Sequence, residues 1–149
     1  MTNNSEIIPI ASDHAGYELK EFLKEELSKL GYKFKDYGTY SLESCDYPDF
    51  IHPLAKDIDE GIYKRGLIMC GSGNGVQITA NKYLKVRCAL CWKEELASLS
   101  RQHNDANVCS LPARFISREE GLKIAETFLN TPYEGGRHQR RVEKISQLL

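Results

Sequence analysis

The segment Gly66-Leu-Ile-Met-Cys-Gly-Ser-Gly-Asn-Gly75 places a compact apolar run directly before three glycines in five residues. The apolar run Gly66–Cys70 predicts a buried strand, and the glycines that follow it predict a tight turn into a helix near 76–83. A strand that ends in such a turn before a helix is typical of α/β folds. In these folds, ligands collect at the carboxyl ends of parallel strands, so the residues after each strand are the candidate functional residues.

The rest of the chain repeats this alternation of strand and helix. Four more apolar runs predict strands, and five more amphipathic or capped patterns predict helices. The strands are expected at 7–11, 33–37, 86–91 and 108–111. The helices are expected at 19–30, 46–60, 94–103 and 119–129, with a C-terminal helix over about 137–149 whose clearest pattern is 142–149. Pro9 suggests that the first strand lies at an edge of the sheet or that the proline lies early in it. The pattern predicts one α/β domain over residues 1–149, with a five-stranded parallel sheet between two helical layers and a frayed segment at 1–6.

Composition excludes several classes of protein. The 149 residues carry a net charge of −1 and are 41% hydrophobic, so there is no broad basic surface for nucleic acid. No apolar stretch approaches the ~18 residues that span a bilayer, and the first residues lack a signal-peptide pattern. We therefore expect a cytoplasmic protein with no membrane partner.

Cysteine usage agrees with that expectation. The count of five is odd, which argues against a disulfide framework. Cys88 and Cys91 have the spacing of a metal or redox pair, but they lie in an apolar run and no second ligand pair accompanies them. No metal or cofactor is expected, and Cys45 and Cys109 have no assigned role.

The loop Gly71–Gly75 is the strongest local signal for a binding site. Glycines let backbone N–H groups approach a ligand closely, and the helix that follows favours anions at its amino end. A plain strand–helix turn is the alternative. A dinucleotide loop is weaker because no acidic residue ends a strand ~20 residues later, and a Walker A loop is excluded because Gly-Lys-Ser/Thr is absent.

Cys70 comes directly before this loop. A cysteine at the end of an apolar strand is usually inert packing. Its position beside backbone N–H groups and a helix start, however, favours the thiolate form, which is a usable general base.

Further polar residues lie at the ends of other elements. Asp13 and His14 follow the first strand, although Asp13 could simply cap the next helix. His103 and Asn104 end a helix, where a histidine is common without a catalytic role. Arg114 follows the fifth strand. The C-terminal segment carries a cluster of cations, which contains Arg137, His138, Arg140 and Arg141. Arg137 and Arg141 would share one helix face and suit a phosphate dianion, whereas a solvated basic face is the alternative.

Several segments together resemble ribose-5-phosphate isomerase B and its galactose-6-phosphate isomerase relatives. They are Ser12-Asp-His-Ala-Gly16, Asp46-Tyr-Pro48, Cys70-Gly-Ser-Gly-Asn-Gly75, Ala80-Asn-Lys82, Ser100-Arg-Gln-His-Asn-Asp-Ala-Asn107 and Tyr133-Glu-Gly-Gly-Arg-His138. The resemblance extends from about residue 7 to residue 142 and implies a Rossmann-like α/β/α sandwich. It also implies a homodimer, which in some relatives pairs into a tetramer, with each active site built from both subunits and a small phosphorylated sugar as substrate.

The resemblance also implies a role for each candidate. Cys70 would move the proton between C2 and C1, and Gly71, Ser72, Gly73, Asn74 and Gly75 would hold the enediolate, with the Ser72 hydroxyl assisting. His103 would open the sugar ring and Asp13 would hold its oxygens. His14, Arg114, Arg137 and Arg141 would bind the phosphate, and Tyr47 and Asn104 would contact the sugar. A branch of the family uses a glutamate after the loop as its base; Val76 stands there, so the chain is similar to the cysteine-using branch.

The predicted function is interconversion of ribose 5-phosphate and ribulose 5-phosphate in the pentose phosphate pathway. Two alternatives stay open at this point. One is an isomerase of a six-carbon substrate such as allose 6-phosphate or galactose 6-phosphate. The other is a catalytically silent sugar-phosphate-binding subunit, which the complete set of candidate residues disfavours.

Overall fold

The computed structural model describes residues 6–147 of the chain. The strands are β1 (Ile7–Ser12), β2 (Lys33–Asp36), β3 (Gly66–Cys70), β4 (Cys88–Leu90) and β5 (Val108–Pro112). The helices are α1 (Tyr17–Ser28), α2 (Tyr47–Asp59), α3 (Asn74–Ala80), α4 (Glu94–Asn104), α5 (Arg118–Asn130) and α6 (Arg137–Ile145). All strand pairs are parallel and the order is β2-β1-β3-β5-β4, which confirms the predicted sheet.

Each face of the sheet is covered by a helical layer because side chains alternate along the strands. On β3, Leu67 and Met69 face a core shared with α1, α4 and α5, whereas Ile68 and Cys70 face the core beneath α2 and α3. The predicted three-layer sandwich is therefore correct. Within residues 6–147, no helix has the length and apolar character needed to cross a membrane.

Some boundaries differ from the sequence-based expectations. β1 has a neighbour on each side, so the edge position suggested by Pro9 is wrong. The proline is tolerated because it lies near the start of the strand, and pairing with β3 begins only at Ile10. The terminal helix begins at Arg137, as expected, directly after a glycine with φ of 57°, but it ends at Ile145. Its predicted last residues, 148–149, lie outside the described residues.

The amino terminus shows a further difference. Residues 1–5 lie outside the described part of the chain. Glu6, which was grouped with them as frayed, instead forms an ion pair with Arg65, with a distance of 2.7 Å between Oε1 and Nη2.

The directions of the helices decide where functional residues can meet. We call the ends of the strands near Cys70 and Pro112 the carboxyl edge, and the ends near Gly66 and Val108 the amino edge. The four residue steps of β3 separate these edges by about 13 Å at ~3.3 Å per residue. α4 follows the carboxyl end of β4 and returns to the amino end of β5, so its last residues lie at the amino edge.

Candidate active site

The thiol of Cys70 lies at the carboxyl edge, where β3 meets the glycine-rich loop. The residue is 6% exposed. The backbone N–H of Gly73 donates a hydrogen bond to Sγ over 3.2 Å. This contact fixes the sulfur at the start of the loop, and a general base must first be held in such a defined position before it can accept a proton from carbon.

At two positions of the loop, neighbouring side chains come so close to the backbone that only glycine fits. Gly73 has φ of +77°, and a Cβ there would lie 2.5 Å from Leu90 Cδ1. A Cβ on Gly75 would lie 2.5 Å from the ring of Tyr47, the first residue of α2. The loop therefore packs closely against Leu90 and Tyr47, which places the Tyr47 ring beside it.

Arg114 and Ser72 complete this side of the loop. The Arg114 N–H donates to the Gly71 carbonyl over 3.0 Å, and its guanidinium lies over the same glycine. Ser72 Oγ accepts from the Asn74 N–H over 3.2 Å. A cavity of about 360 Å³ opens beside them, lined by Ser72, Asn74, Leu90, Trp92, Pro112 and Phe115. A small ligand here would contact Ser72 and Asn74 of the loop.

Asp13 lies beside the end of β3. Its N–H donates to the Met69 carbonyl over 3.4 Å, one residue before the thiol. Its Oδ1 accepts from the N–H groups of Ala15 and Gly16 over 2.9 and 3.0 Å. Asp13 thus closes a turn ahead of α1, whose N-cap is Gly16, rather than capping the helix itself. Its Oδ2 has no hydrogen-bond partner among residues 6–147, which leaves one oxygen to bind a hydroxyl.

His14 connects the same turn to the next loop. Its Nδ1 accepts a hydrogen bond from the Cys45 N–H over 3.3 Å, which orients the ring. The structure therefore places Asp13, His14, Tyr47, Cys70, Gly71–Gly75 and Arg114 at one edge, and we call these residues the thiol group.

A buried ion pair between Lys20 and Asp36, which sequence analysis missed, holds the backbone next to the thiol group in place. Lys20 is fully buried, and its Nζ lies 2.5 Å from Asp36 Oδ2. Burial alone would raise the pKa of Asp36, but hydrogen bonds from Lys20, Lys24 and the Gly38 N–H outweigh it and hold that pKa below its usual value. The loop after Asp36 pairs with Ser12 through two hydrogen bonds of 2.7 Å, so this ion pair fixes the backbone next to Asp13. A lysine on an otherwise ordinary helix gives no sequence signal of this role.

The remaining predicted residues lie at the opposite, amino edge. His103 is at the end of α4, and its ring stacks on that of His138 with centroids 4.4 Å apart and planes 16° from parallel. The N–H of Glu134 donates to the Gln102 carbonyl over 3.1 Å, which fixes the segment before α6 against the end of α4. We call His103, Asn104, Arg137 and Arg141 the histidine–arginine group; the last three are exposed.

One chain therefore does not bring the two groups together. The resemblance implies a site built from both subunits, and the direction of α4 is consistent with that division because it keeps His103 away from Cys70 within one chain. In a parallel sheet, a residue between a helix and the next strand lies at the amino edge. The predicted order of strands and helices was therefore enough to place His103 at that edge.

Asp105 fixes the chain directly after His103 and Asn104. It adopts a left-handed conformation with φ of 48°, which is uncommon for residues other than glycine. Its carboxylate lies 3.1 Å from Arg101 Nη1 and 3.3 Å from Arg87 Nη2. Burial, only partly offset by Asp105, lowers the pKa of Arg101. This network holds the end of α4 and with it the histidine.

Of the other cysteines, Cys88, Cys91 and Cys109 are buried and Cys45 is half-buried. All five thiols are free, and burial raises the pKa of Cys88 and of Cys109 well above the usual value. Among residues 6–147, one trio of side chains could ligate a metal ion: His103, Glu134 and His138, whose ligand atoms lie within 4.8 Å of one another.

Comparison with known proteins gives consistent results. The family model described as Ribose/Galactose Isomerase matches residues 8–145. Ribose-5-phosphate isomerase B of Escherichia coli is 38% identical over 141 residues, which cover 95% of each chain. A ribose 5-phosphate isomerase structure from Thermotoga maritima superposes with a TM-score of 0.93, at 45% identity and with coverage of 97% of this chain and 99% of that one. The Mycoplasma genitalium ribose-5-phosphate isomerase B with bound ribulose 5-phosphate has a TM-score of 0.90, at 42% identity and 95% coverage of both chains.

Proposed function

This chain belongs to the ribose/galactose isomerase family, and we propose that it interconverts D-ribose 5-phosphate and D-ribulose 5-phosphate. Several relatives are named for the five-carbon substrate, and the Mycoplasma genitalium structure holds ribulose 5-phosphate. These names favour the five-carbon sugar over allose or galactose 6-phosphate. The reaction belongs to the non-oxidative part of the pentose phosphate pathway.

The observation that supports this chemistry most directly is the Cys70 thiol held by the Gly73 N–H. The thiolate takes the proton from C2 of the open-chain aldose, and the electron pair of that C–H bond forms the C1–C2 double bond of an enediolate. Cys70 then returns the proton to C1, while the hydroxyl proton moves from O2 to O1 and C2 becomes the carbonyl carbon. Loop N–H groups stabilise the developing negative charge, and the Ser72 hydroxyl assists the oxygen-to-oxygen transfer.

The site is completed by a second copy of the chain. The thiol group has a base and loop donors, whereas the histidine–arginine group has the residues for ring opening and for binding the phosphate. In one chain these groups lie at opposite edges, about 13 Å apart along β3 alone. A homodimer that sets the carboxyl edge of one chain against the amino edge of the other brings both groups to one sugar.

Exposed apolar side chains support this arrangement. Trp92 and Phe115 lie beside the thiol group and are 50% and 76% exposed, and Ile145 is 57% exposed on α6 of the opposite group. Large apolar residues exposed next to functional groups are typical of association surfaces. In the proposed dimer, Asn104 and Arg137 approach the sugar and its phosphate from the partner.

The five free cysteines also support a reducing compartment, and we place the protein in the cytoplasm. The complete set of base, histidine and arginines supports an active enzyme rather than a silent subunit. Neither step described above requires a metal ion or cofactor.

The test is an assay of the purified chain alone, with EDTA present, on ribose 5-phosphate. We expect turnover, and we expect Cys70→Ala to lower kcat by ~10²–10⁴-fold because it removes the general base. Cys109→Ala, which removes a buried thiol from the neighbouring strand, is the matched control and should retain activity. No turnover by the intact chain would favour the silent subunit, and more than half of the kcat remaining in Cys70→Ala would exclude Cys70 as the base.

A further inference from the structure

His138 is a buried polar side chain without a hydrogen bond. The residue is 6% exposed, and its Nε2 is buried with no hydrogen-bond partner among residues 6–147. A buried ring nitrogen normally has a partner, because leaving it unpaired costs ~1–3 kcal/mol. The missing partner indicates that something outside the chain's own atoms can occupy this position.

The surroundings of that nitrogen suit a cation. Glu134 Oε1 lies 3.5 Å from His138 Nε2, too far and too poorly directed for a hydrogen bond. Tetrahedral zinc with nitrogen and oxygen ligands at ~2.0–2.1 Å holds neighbouring ligand atoms about 3.3 Å apart. The pair is therefore already near the spacing of two zinc ligands. His103 supplies a third ring, and all three ligand atoms lie within 4.8 Å of one another.

We propose that His103, Glu134 and His138 form an inhibitory site for a divalent transition-metal ion such as Zn²⁺. In the stacked arrangement, both imidazole planes are nearly parallel, so their in-plane lone pairs cannot reach the same ion. The His103 ring is only half-buried and turns out of the stack to close the site, while a water molecule fills the fourth position. The buried His138 and the carboxylate of Glu134 stay in place.

Metal binding at this site would inhibit the enzyme because its third ligand is His103. His103 is the residue assigned to ring opening, and its lone pair cannot bind a metal ion and accept a proton at the same time. Occupation of the site removes this step and leaves the Cys70 thiol untouched. The inhibitory effect rests on the proposed function, whereas the binding of metal does not.

The experiment is a calorimetric titration of the EDTA-treated, dialysed full chain with ZnCl₂, without substrate. We expect one ion per chain, and at least tenfold weaker binding for Glu134→Gln and for His103→Asn. Glu143→Gln, which neutralises another exposed carboxylate near α6's end, is the matched control and should bind as the intact chain does. Absence of binding, or equal binding by all variants, would overturn the proposal.

Two further measurements distinguish this site from metal capture by Cys70. The Co²⁺ form should show only weak visible bands, because thiolate ligation would add an intense near-ultraviolet charge-transfer band. Turnover of ribose 5-phosphate should be inhibited by Zn²⁺ and restored by EDTA, with at least a tenfold higher inhibition constant in Glu134→Gln. A thiolate band, or inhibition unaltered by Glu134→Gln, would contradict the assignment; binding without inhibition would refute the role of His103 alone.

Discussion

Mixing two inactive variants tests whether the thiol group and the histidine–arginine group act across two chains. Cys70→Ala removes the base but keeps His103, and His103→Asn does the reverse. A proton-transferring side chain must come within ~2.6–3.2 Å of its target atom, or reach it through one water. Since strand β3 alone separates the two edges by about 13 Å, one five-carbon sugar cannot contact both groups of a single chain.

The expected recovery follows from counting sites. Random pairing of equal amounts of two variants gives heterodimers as about half of all dimers. In each heterodimer, one site combines both altered residues and the other combines the intact Cys70 with the intact His103. Half of the sites in half of the dimers are therefore intact, and the mixture should reach about a quarter of the wild-type kcat per chain.

The assay is turnover of ribose 5-phosphate by the co-refolded mixture, compared with each variant refolded alone. A mixture of Cys70→Ala with Asp13→Ala is the matched negative control, because both residues belong to the thiol group and no site regains a complete set. Activity of the Cys70–His103 mixture no higher than the mean of its parents would refute the shared site. Recovery in the control mixture would show that exchange alone alters activity.

Three further outcomes are expected. His103→Asn should slow ribose 5-phosphate more than ribulose 5-phosphate in single-turnover experiments, because only the aldose forms the furanose ring; equal slowing would remove ring opening as its role. Arg137→Ala should raise KM about ten- to a hundredfold with little change in kcat, because a hydrogen bond to a charged group contributes roughly 1.5–3 kcal/mol. Steady-state kinetics measure both constants, and the control variant Arg140→Ala should be nearly unchanged. Asp36→Asn should lower the free energy of unfolding by about 1–3 kcal/mol, measured in urea, because it removes the closer of the two carboxylates paired with the buried Lys20, while Glu21 Oε2 stays 3.1 Å from Nζ. Since the folded-state pKa of Asp36 lies below its usual value, the wild type should lose this contribution as pH falls through that folded-state pKa, and the variant should lack this pH dependence.

The parts of the fold that the sequence predicted correctly are those set by local patterns. The apolar run Gly66–Cys70 matches β3 at both ends, because five consecutive buried residues leave no alternative boundary. The loop after it was predictable because glycines clustered between a strand and a helix are a local turn signal, although the contacts of Gly73 and Gly75 with Leu90 and Tyr47 are not local. β4 is shorter than the run 86–91 because pairing with β5 covers only Cys88–Leu90, and register between distant segments is not a local property.

The candidate site was predictable in its membership more than in its arrangement. The resemblance named the residues, but the pairing of Lys20 with Asp36 and the stack of His103 on His138 depend on contacts between distant segments. Charge and periodicity along the chain do not reveal such contacts. The position of His103 at the amino edge is different, because the alternation of strand and helix already implied it.

The division of the site between two edges links catalysis to assembly. A single chain holds Cys70 and the glycine-rich loop with Arg114 as the nearby guanidinium, while the exposed pair Arg137 and Arg141 lies at the other end of the sheet. Paired guanidinium groups are the residues best suited to bind a phosphate dianion. Under the proposed function, the thiol group of an isolated chain would therefore lack both the residue for ring opening and the residues for tight phosphate binding. In the proposed dimer, each site forms where the thiol group of one chain meets the histidine–arginine group of the other. The apolar side chains around Trp92 and Ile145 lie next to these groups, so the surface that holds the subunits together is also the surface that completes the site.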